Sequence, residues 1–503
     1  MRTLISGLVA AALLAASPAM AEVRGSVRLD QPGARVNPDV YGQFMEQLGS
    51  GITGGVWVGE GSAIPNTRGF RNDVVAALKA LEVPVVRWPG GCYADTYHWR
   101  DGIGPRGGRP VTLNRWWGNS EEDNAFGTHE FFDFAELIGA KTYLSINMGS
   151  GTPAEAAQWV EYITSDTRST LAQERRANGR ERPWKIDYLG LGNEPWGCGG
   201  RMRASYYNDL MRQYVGFVMP AGTTAVAAGP NAEDYDWTRT LMRDGRDNFD
   251  ALSLHYYTLP TGDWARKGAS VGFDETEWDA TFRQAYRIEE MIQRHDAIMD
   301  EYDPTARVGL AVDEWGAWYD PTPGTVAGHL KQQNSLRDAL LAAVHFNIFH
   351  RHADRVRMSN VAQMVNVLQA LILTDGPRMT LTPTYHAFML YKPFRQAAVL
   401  PVTLEEGGGS RVDVSAARGD DGVVHVALVN LDPSAPAEIR LRLDGGHGRQ
   451  VSGQVLTSGR MDAHNTFEAP NAIAPAAFQG ARIEDGVLIA TLPAKALVVL
   501  EVR

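Results

Sequence analysis

Two glutamates each follow an apolar, strand-like run of the chain. Glu194 lies in the string Gly-Asn-Glu-Pro after the run at 188–191, and Glu314 lies in Asp-Glu-Trp after the run at 308–312. In a parallel α/β barrel, the carboxyl ends of the strands form the active-site face. A proton donor and a nucleophile placed there are the pair that hydrolyses an acetal. Each glutamate alone could be an ordinary acidic residue at a helix start, but the two together favour the catalytic interpretation.

The elements that must position these glutamates alternate between strand-like and helix-like segments, which predicts a parallel sheet. The predicted strands are 41–47, 84–88, 142–147, 186–191, 224–229, 251–255, 308–312 and 356–359. Eight such repeats predict an α/β fold, a (β/α)8 TIM barrel with enlarged loops, in which Glu194 ends the fourth strand and Glu314 the seventh. An open doubly wound sheet is the alternative, but no Gly-x-Gly-x-x-Gly turn follows the first strand.

The pattern changes near residue 390, where short alternating apolar runs replace the helices. Turn signals such as Gly-Asp-Asp-Gly at 419–422 separate these runs, as is typical of antiparallel strands. We therefore expect a catalytic barrel over 40–390 and a C-terminal antiparallel β-sandwich, jelly-roll-like, over 391–503. The strand-like run at 26–30 has no helix after it, so the segment 22–39 is expected to join the sandwich.

The N-terminus has the composition of a signal peptide. A basic start at residues 1–3 precedes an apolar stretch at 4–16 and the small-x-small sequence Ala-Met-Ala at 19–21. Residues 1–21 are therefore predicted to be removed, and the chain to be exported to the periplasm or secreted. The apolar stretch is too short to cross a bilayer, so the mature form is expected to have no membrane segment.

The charge of the chain argues against some classes of partner. Its 503 residues carry a formal net charge of −11, which argues against nucleic acid and anionic membranes and fits a neutral ligand. No Gly-x-Ser-x-Gly elbow or Walker loop is present, and His350 and His352 lie outside a His-Glu-x-x-His frame. No metal or other cofactor is therefore expected.

Polar side chains also lie at the ends of other predicted strands. Glu46 follows the first strand, Arg87 belongs to the second, His255 ends the sixth, and Gln363 comes shortly after the eighth. Arg87 would favour the charged forms of nearby glutamates, and His255 would hydrogen-bond the nucleophile. For Arg87, a structural ion pair within the barrel is an equally good interpretation. For His255, a buried core histidine whose hydrogen bonds are all made is equally good. Asn193 would donate to a sugar hydroxyl, or it is a turn residue.

The two cysteines, Cys92 and Cys198, each follow a predicted strand on the same face as the glutamates. Export would allow them to oxidise, so we expect a disulfide. Two unpaired, buried thiols are the alternative. Trp318, close after Glu314, would wall a sugar pocket or merely pack its loop.

Several longer strings, in order along the chain, resemble one known family. They are Tyr-Gly-Gln-Phe-Met-Glu at 41–46, Arg-Trp-Pro-Gly-Gly-Cys at 87–92, Tyr-His-Trp-Arg-Asp-Gly-Ile-Gly-Pro at 97–105, Phe-Gly-Thr-His-Glu-Phe at 126–131, Gly-Asn-Glu at 192–194, Trp-Gly-Cys-Gly-Gly at 196–200, Ser-Leu-His at 253–255, Asp-Glu-Trp at 313–315 and Asn-Val-Ala-Gln-Met-Val-Asn at 360–366. From residue 25 onward the chain is similar to the α-L-arabinofuranosidases of glycoside hydrolase family 51.

The resemblance implies a retaining, exo-acting hydrolase that releases terminal arabinofuranose from arabinose-containing polysaccharides and oligosaccharides. It implies that Glu194 is the acid/base and Glu314 the nucleophile, and that Cys92 and Cys198 are bonded. The implied ligands of the furanose hydroxyls are Glu46, Asn193, Tyr257 and Gln363, with Cys92 and Trp318 lining the pocket. From their positions at strand ends, Arg87 and His255 are also expected to belong to the substrate site. Family members are often hexamers, which implies a homo-oligomer.

One position departs from the resemblance, because Pro195 stands where close relatives often carry Asn. The departure leaves the acid/base in place and would change the entrance near the leaving group. Two other functions remain as alternatives: an endo-acting glucanase of the same family, and a glycan-binding protein without activity on the same scaffold. The natural polymer stays open.

Overall fold

The structure, a computed structural model, describes residues 21–405, 411–446 and 448–503. Up to the end of the barrel the strands are β1 Ala21–Arg28, β2 Gly42–Phe44, β3 Asn66–Thr67, β4 Phe70–Arg71, β5 Val85–Trp88, β6 Thr112–Asn114, β7 Ser120–Glu122, β8 Lys141–Ile146, β9 Tyr188–Leu191, β10 Thr224–Ala227, β11 Ala251–Thr258, β12 Gly309–Ala317 and β13 Val356–Val361. The later strands are β14 Ile372–Asp375, β15 Arg378–Leu381, β16 Ala398–Leu400, β17 Val402–Leu404, β18 Val412–Arg418, β19 Val424–Asn430, β20 Ala437–Asp444, β21 Val451–Thr457, β22 Ala476–Ala477, β23 Ala481–Glu484, β24 Val487–Leu492 and β25 Ala496–Val502. The helices are α1 Asn72–Leu81, α2 Thr128–Ile138, α3 Pro153–Thr164, α4 Thr170–Ala177, α5 Ala204–Val218, α6 Tyr235–Asp244, α7 Glu275–Tyr302, α8 Leu336–Arg351 and α9 Pro383–Tyr391.

Within these described ranges, eight strands close into a barrel in the order β2, β5, β8, β9, β10, β11, β12 and β13, which returns to β2. Neighbouring strands run parallel, and at least one helix lies in the chain between each pair. Helix α1 buries one apolar stripe, formed by Val74, Leu78 and Leu81. The predicted (β/α)8 barrel is confirmed.

Three barrel strands, β11, β12 and β13, extend further than their apolar runs indicate, and β11 and β12 do so most. The runs at 251–255 and 308–312 predict short strands, whereas β11 continues to Thr258 and β12 to Ala317. Their pairing shifts register between Ser253 and His255, so that His255 stands opposite Glu314. A bulge of this kind lets a strand continue while it re-aims its side chains. Glu314 therefore lies inside β12 and not after it.

The C-terminal strands form two facing sheets. One has the order β17, β1, β20, β24, β23 and the other β16, β18, β19, β25, β21, β22. Strand β1 pairs antiparallel with β17 and parallel with β20. Alternate residues of β20 are buried, and they pack with Val27, Val426 and Leu500 in the sandwich core. Residues 1–20 of the predicted signal peptide lie outside the described residues.

Helix α8 packs the barrel against the sandwich and is buried along nearly its whole length. Its His350 contacts the Tyr41 hydroxyl at 2.7 Å on the barrel side and the Ser415 hydroxyl at 2.9 Å on the sandwich side. Asn347 donates to the buried Asp413 carboxylate of β18 at 2.7 Å. These polar contacts fix how the sandwich sits on the barrel. Among the described helices, none is both long and apolar enough to cross a membrane.

Candidate active site

The two sequence-predicted glutamates meet at the carboxyl-terminal mouth of the barrel. Glu194 follows β9 after a turn at Gly192, whose φ of +81° favours glycine. Glu314 projects from β12, and one of its carboxylate oxygens lies within 4.8 Å of one from Glu194. The pair faces a cavity of about 440 Å³. The barrel thus places two carboxylates side by side in a pocket large enough for a sugar.

Glu314 is held by donors on both oxygens. Arg87 donates from Nη1 to Glu314 Oε1 at 2.7 Å, and the Tyr257 hydroxyl donates to Oε2 at 2.8 Å. Arg87 also donates from Nη2 to Asn193 Oδ1 at 2.5 Å. A single guanidinium therefore orients Glu314 and the residue that precedes Glu194. Burial opposes the charge of Arg87, but Asp313 and Glu314 outweigh it and hold its pKa above the usual value. This geometry presents Glu314 as a fixed carboxylate.

Glu194 has the opposite electrostatic balance. Burial raises the pKa of Glu194, and the charge of Glu314 adds to this effect, while the hydrogen bond to His255 works against it. His255 Nδ1 lies 2.9 Å from Glu194 Oε1. The raised pKa means that Glu194 holds its proton more tightly than an ordinary glutamate, as a proton donor needs.

His255 connects Glu194 with a second buried carboxylate. Its Nε2 lies 3.2 Å from Asp313 Oδ1, and the Tyr143 hydroxyl donates to Asp313 Oδ2 at 2.7 Å. Burial alone would lower the pKa of His255, but Glu314 and Asp313 raise it to about 10. His255 is consequently an imidazolium at neutral pH and a donor on both ring nitrogens.

Glu46 lies across the pocket with its carboxylate already engaged. Oε1 accepts from the Tyr93 N–H at 2.9 Å and from Trp117 Nε1 at 2.8 Å, and Oε2 accepts from Gln363 Nε2 at 3.2 Å. Burial raises the pKa of Glu46 to about 8, although the Tyr93 and Trp117 donors oppose it. The remaining lone pairs of this carboxyl can accept from sugar hydroxyls.

Cys92 and Cys198 form a disulfide with a Cα–Cα separation of 5.5 Å. It joins the segment after β5 to the segment after β9, and Cys198 Sγ lies 3.4 Å from Glu194 Oε2. On the other side, Tyr257 contacts Trp318 edge-on at 4.9 Å between ring centroids. The acid/base candidate thus lies against a covalent link, and the nucleophile candidate lies near an aromatic wall.

The pocket groups have the spacing of a metal site, but their bonds favour another use. Glu194, His255 and Glu314 each offer one ligand atom within 4.8 Å of the others. Both nitrogens of His255 already face carboxylates. A second group with such spacing consists of Cys92, Glu194 and Cys198. Its two sulfurs are bonded to each other, so they cannot bind a metal ion as thiolates. The donor set suits a carboxylate pair bridged by an imidazolium.

The pocket brings together nearly every side chain that the sequence predicts for the site. They are Glu46, Cys92, Asn193, Glu194, His255, Tyr257, Glu314, Trp318 and Gln363. Arg87 lies behind them, 1% exposed, and acts through its contacts, and Cys198 reaches the site through the disulfide. Sequence reasoning missed Trp117, which carries no motif, and assigned no role to Asp313, although it lies in the Asp-Glu-Trp string.

Comparison with known proteins identifies relatives along the whole chain. Residues 77–270 match the family model described as α-L-arabinofuranosidase 1 domain, and residues 313–496 match the α-L-arabinofuranosidase C-terminal domain. A protein of Bacteroides ovatus named "Intracellular exo-alpha-L-arabinofuranosidase" is 44% identical over 510 residues, 99% of both chains. A "Probable alpha-L-arabinofuranosidase C" of Aspergillus niger is 32% identical, over 86% of this chain and 88% of its own.

The prediction of export is wrong, because the full-length relative from Bacteroides ovatus is named intracellular. The described residues add no sign of export. Strand β1 begins at Ala21, which pairs with Ala437, so the predicted cleavage after Ala21 falls inside a sandwich strand. A basic start, an apolar stretch and small residues gave a composition that was not specific enough to establish a signal peptide.

Solved structures match both domains together. The arabinofuranosidase of glycoside hydrolase family 51 from Xanthomonas axonopodis pv. citri is 53% identical and covers 96% of this chain and all of its own, with a TM-score of 0.94. The Thermotoga maritima α-L-arabinofuranosidase, solved as an arabinose complex, is 29% identical over 95% of this chain and 99% of its own, with a TM-score of 0.84. Sequence strings, pocket and fold agree, and the chain belongs to the α-L-arabinofuranosidases of glycoside hydrolase family 51.

Proposed function

We propose that this protein is a retaining, exo-acting α-L-arabinofuranosidase that removes terminal non-reducing arabinofuranose from arabinose-containing plant polysaccharides and oligosaccharides. The observation that carries the proposal is the pair Glu194 and Glu314, whose oxygens approach within 4.8 Å in one pocket. Carboxyl groups about 5–5.5 Å apart belong to retaining glycosidases, whereas inverting enzymes leave about 6.5–9.5 Å for a water molecule. The relative from Bacteroides ovatus is named an exo-α-L-arabinofuranosidase, which supports the exo mode.

In the first step, Glu314 attacks the anomeric carbon and forms a carbon–oxygen ester bond. The bond from that carbon to the leaving oxygen breaks, and the proton of Glu194 passes to the leaving oxygen. Arg87 and Tyr257, which donate to Glu314, orient it for the attack. The burial that raises the pKa of Glu194 keeps its proton available until the leaving group departs.

In the second step, Glu194 acts as a base. It takes a proton from water, the water oxygen attacks the anomeric carbon, and the ester bond to Glu314 breaks to release the carboxylate. The ester carries no charge, so the repulsion by which Glu314 raised the pKa of Glu194 is absent in this step. The same residue then holds its proton less tightly, as a base requires. Two inversions at one carbon give net retention.

The furanose is recognised by polar groups that converge on the pocket. Glu46, Asn193, Tyr257 and Gln363 are the proposed ligands of its hydroxyls, and all four line the cavity. Gln363 Nε2 donates a hydrogen bond to Glu46 Oε2 at 3.2 Å, so the two side chains together present donors and acceptors to the sugar. Asn193, oriented by Arg87, is suited to a hydroxyl beside the reacting carbon, where hydrogen bonds strengthen in the transition state.

The experiment is a substrate panel on the purified chain. An aryl α-L-arabinofuranoside and arabinose-substituted oligosaccharides should be cleaved, and a cellulosic chain should not. Proton NMR during the first minutes should show the α-anomer of arabinofuranose before mutarotation. Cleavage of the cellulosic chain alone would support an endo-acting glucanase, and binding of arabinosides without turnover would support a glycan-binding protein.

We also propose a homo-oligomer, with a hexamer as the family precedent. Large apolar side chains in and beside the hairpin β6–β7 support an interface there: Val111 is 63% exposed, Leu113 55% and Trp116 43%. Light scattering coupled to gel filtration measures the mass in solution. A single 55.1 kDa species at micromolar concentration would contradict the oligomer.

A further inference from the structure

Asp95 is a buried carboxylate that the mechanism above does not use. It follows β5, three residues after Cys92, and is 2% exposed. Its Oδ1 accepts from the N–H groups of Met148 at 3.0 Å and Gly149 at 3.1 Å, and its Oδ2 accepts from the Asn193 N–H at 3.1 Å. Met148 and Gly149 follow β8, whereas Asn193 follows β9. One carboxylate therefore ties together the carboxyl-terminal ends of two neighbouring barrel strands.

The backbone that Asp95 holds leads directly into the acid/base candidate. Asn193 precedes Glu194, and the chain then folds back so that the N–H groups of Gly197 and Gly199 donate to the Glu194 carbonyl at 2.9 and 2.8 Å. A Cβ on Gly199 would lie 2.4 Å from Asp95 Oδ2 and 3.0 Å from the Glu194 carbonyl oxygen. Asp95 and this turn thus form a close-packed support beneath Glu194.

We propose that Asp95 is a positioning residue for the proton transfer. By fixing the Asn193 backbone, its carboxylate sets the direction from which Glu194 delivers its proton to the leaving oxygen. The inference rests on the proposed function, in which Glu194 is the acid/base. A merely structural Asp95 would affect the stability of the fold and would slow all substrates to the same extent.

The test is the isosteric variant Asp95→Asn. The amide keeps the volume but has a single acceptor oxygen, so its NH2 group must face the N–H of Asn193 or those of Met148 and Gly149. General acid catalysis is worth about 10²–10⁴-fold, and a misdirected acid loses part of it. We expect kcat/KM for an arabinose oligosaccharide to fall about tenfold or more, but that for a dinitrophenyl arabinofuranoside to fall by less than about threefold.

Asp187 provides a matched control at the other end of the same two strands. It immediately precedes β9, and its Oδ2 accepts from the Thr142 N–H near the start of β8 at 3.1 Å. Its side chain is 18% exposed, on the face of the barrel opposite to the site. Asp187→Ala removes this link between β8 and β9. It should leave the ratio of the two kcat/KM values unchanged, whatever it costs in thermal stability.

The outcomes separate this inference from the proposed function. An equal loss on both substrates in Asp95→Asn overturns the positioning role, whereas a wild-type chain that cleaves neither overturns the proposed function itself. If Asp95→Asn does not fold, Gly199→Ala carries the test, because its Cβ would lie 2.4 Å from Asp95 Oδ2 and must displace the carboxylate without removing it. A larger loss on the oligosaccharide supports the proposal, and an unchanged ratio contradicts it.

Discussion

The two glutamates of the site are supported in different ways. Glu314 is part of β12, paired with β11 in the barrel, and its side chain is 6% exposed between Arg87 and Tyr257. Glu194 lies on a loop beyond β9, is 18% exposed and contacts the imidazolium of His255. A nucleophile gains from rigid placement by its strand and its hydrogen-bond donors, whereas an acid/base must release and regain a proton during each cycle. The difference indicates that the barrel holds the Glu314 carboxylate in one position, whereas neighbouring groups such as His255 control the protonation of Glu194.

Removing the rigid member should have the largest effect. We expect Glu314→Ala to lower kcat by more than about 10⁴-fold, the scale of losing a nucleophile. A small azide ion can enter the cavity left by the side chain and attack the anomeric carbon of an activated substrate. Activity should return with azide and give a glycosyl azide of inverted anomeric configuration, identified by NMR. Glu46→Ala, which removes a carboxylate across the same pocket, should show no such rescue. Near-normal turnover in Glu314→Ala would remove this residue from the mechanism.

Removing the loop-borne member should have an effect that depends on the substrate. In the proposed mechanism the proton of Glu194 assists the leaving group, and a good leaving group needs less assistance. In Glu194→Ala we expect kcat/KM to fall about 10²–10⁴-fold for natural oligosaccharides and far less for activated aryl glycosides. Steady-state kinetics on both classes measures the difference. Equal losses on both would count against the acid role.

A smaller change should sharpen the electrostatic side of the comparison. The hydrogen bond and charge of His255 lower the pKa of Glu194. His255→Asn keeps a donor near Glu194 and removes the positive charge, so the pKa of Glu194 should rise. Activity that needs protonated Glu194 is lost as pH rises through that pKa. The alkaline limb of kcat/KM for an oligosaccharide should therefore move to higher pH. The maximum value of kcat/KM should fall about tenfold.

An internal control accompanies the pH profile of His255→Asn. Activated aryl substrates need little protonation by Glu194, so their alkaline limb should move less than that of the oligosaccharide. A limb that moves to lower pH, or one that moves equally for both substrates, would show that His255 does not act through Glu194.

The barrel and the two glutamate motifs were accessible from sequence, because buried parallel strands leave long apolar runs and active-site residues follow them. The register shift that brings His255 opposite Glu314 was not, since a bulge leaves no mark in the apolar pattern. Trp117 reaches Glu46 from the hairpin β6–β7, 71 residues away, which only the folded chain reveals. The boundaries of the domains and the roles of the site residues stay predictions.

The smallest expected effect concerns the covalent support of the loop that carries Glu194. The bond between Cys92 and Cys198 closes a loop with a sequence separation of 106 residues, and disulfides typically contribute about 2–4 kcal/mol through the unfolded state. Barrel packing already brings these segments together. We therefore expect the Cys92→Ser, Cys198→Ser double variant to lose stability at the lower end of that range, measured as a lower Tm by calorimetry.

The same variant should loosen the side of the pocket next to Glu194 and leave the strand-held Glu314 unchanged. KM should rise for arabinosides, while kcat should change little, because both carboxylates remain. Reductant should produce the same shift in the wild type and no shift in the double variant, which separates opening of the bond from side effects of the reagent. Mass spectrometry after alkylation under denaturing conditions without reductant counts free thiols. Two alkylated cysteines in the wild type would show that the bond is absent and that packing and Asp95 alone hold the loop.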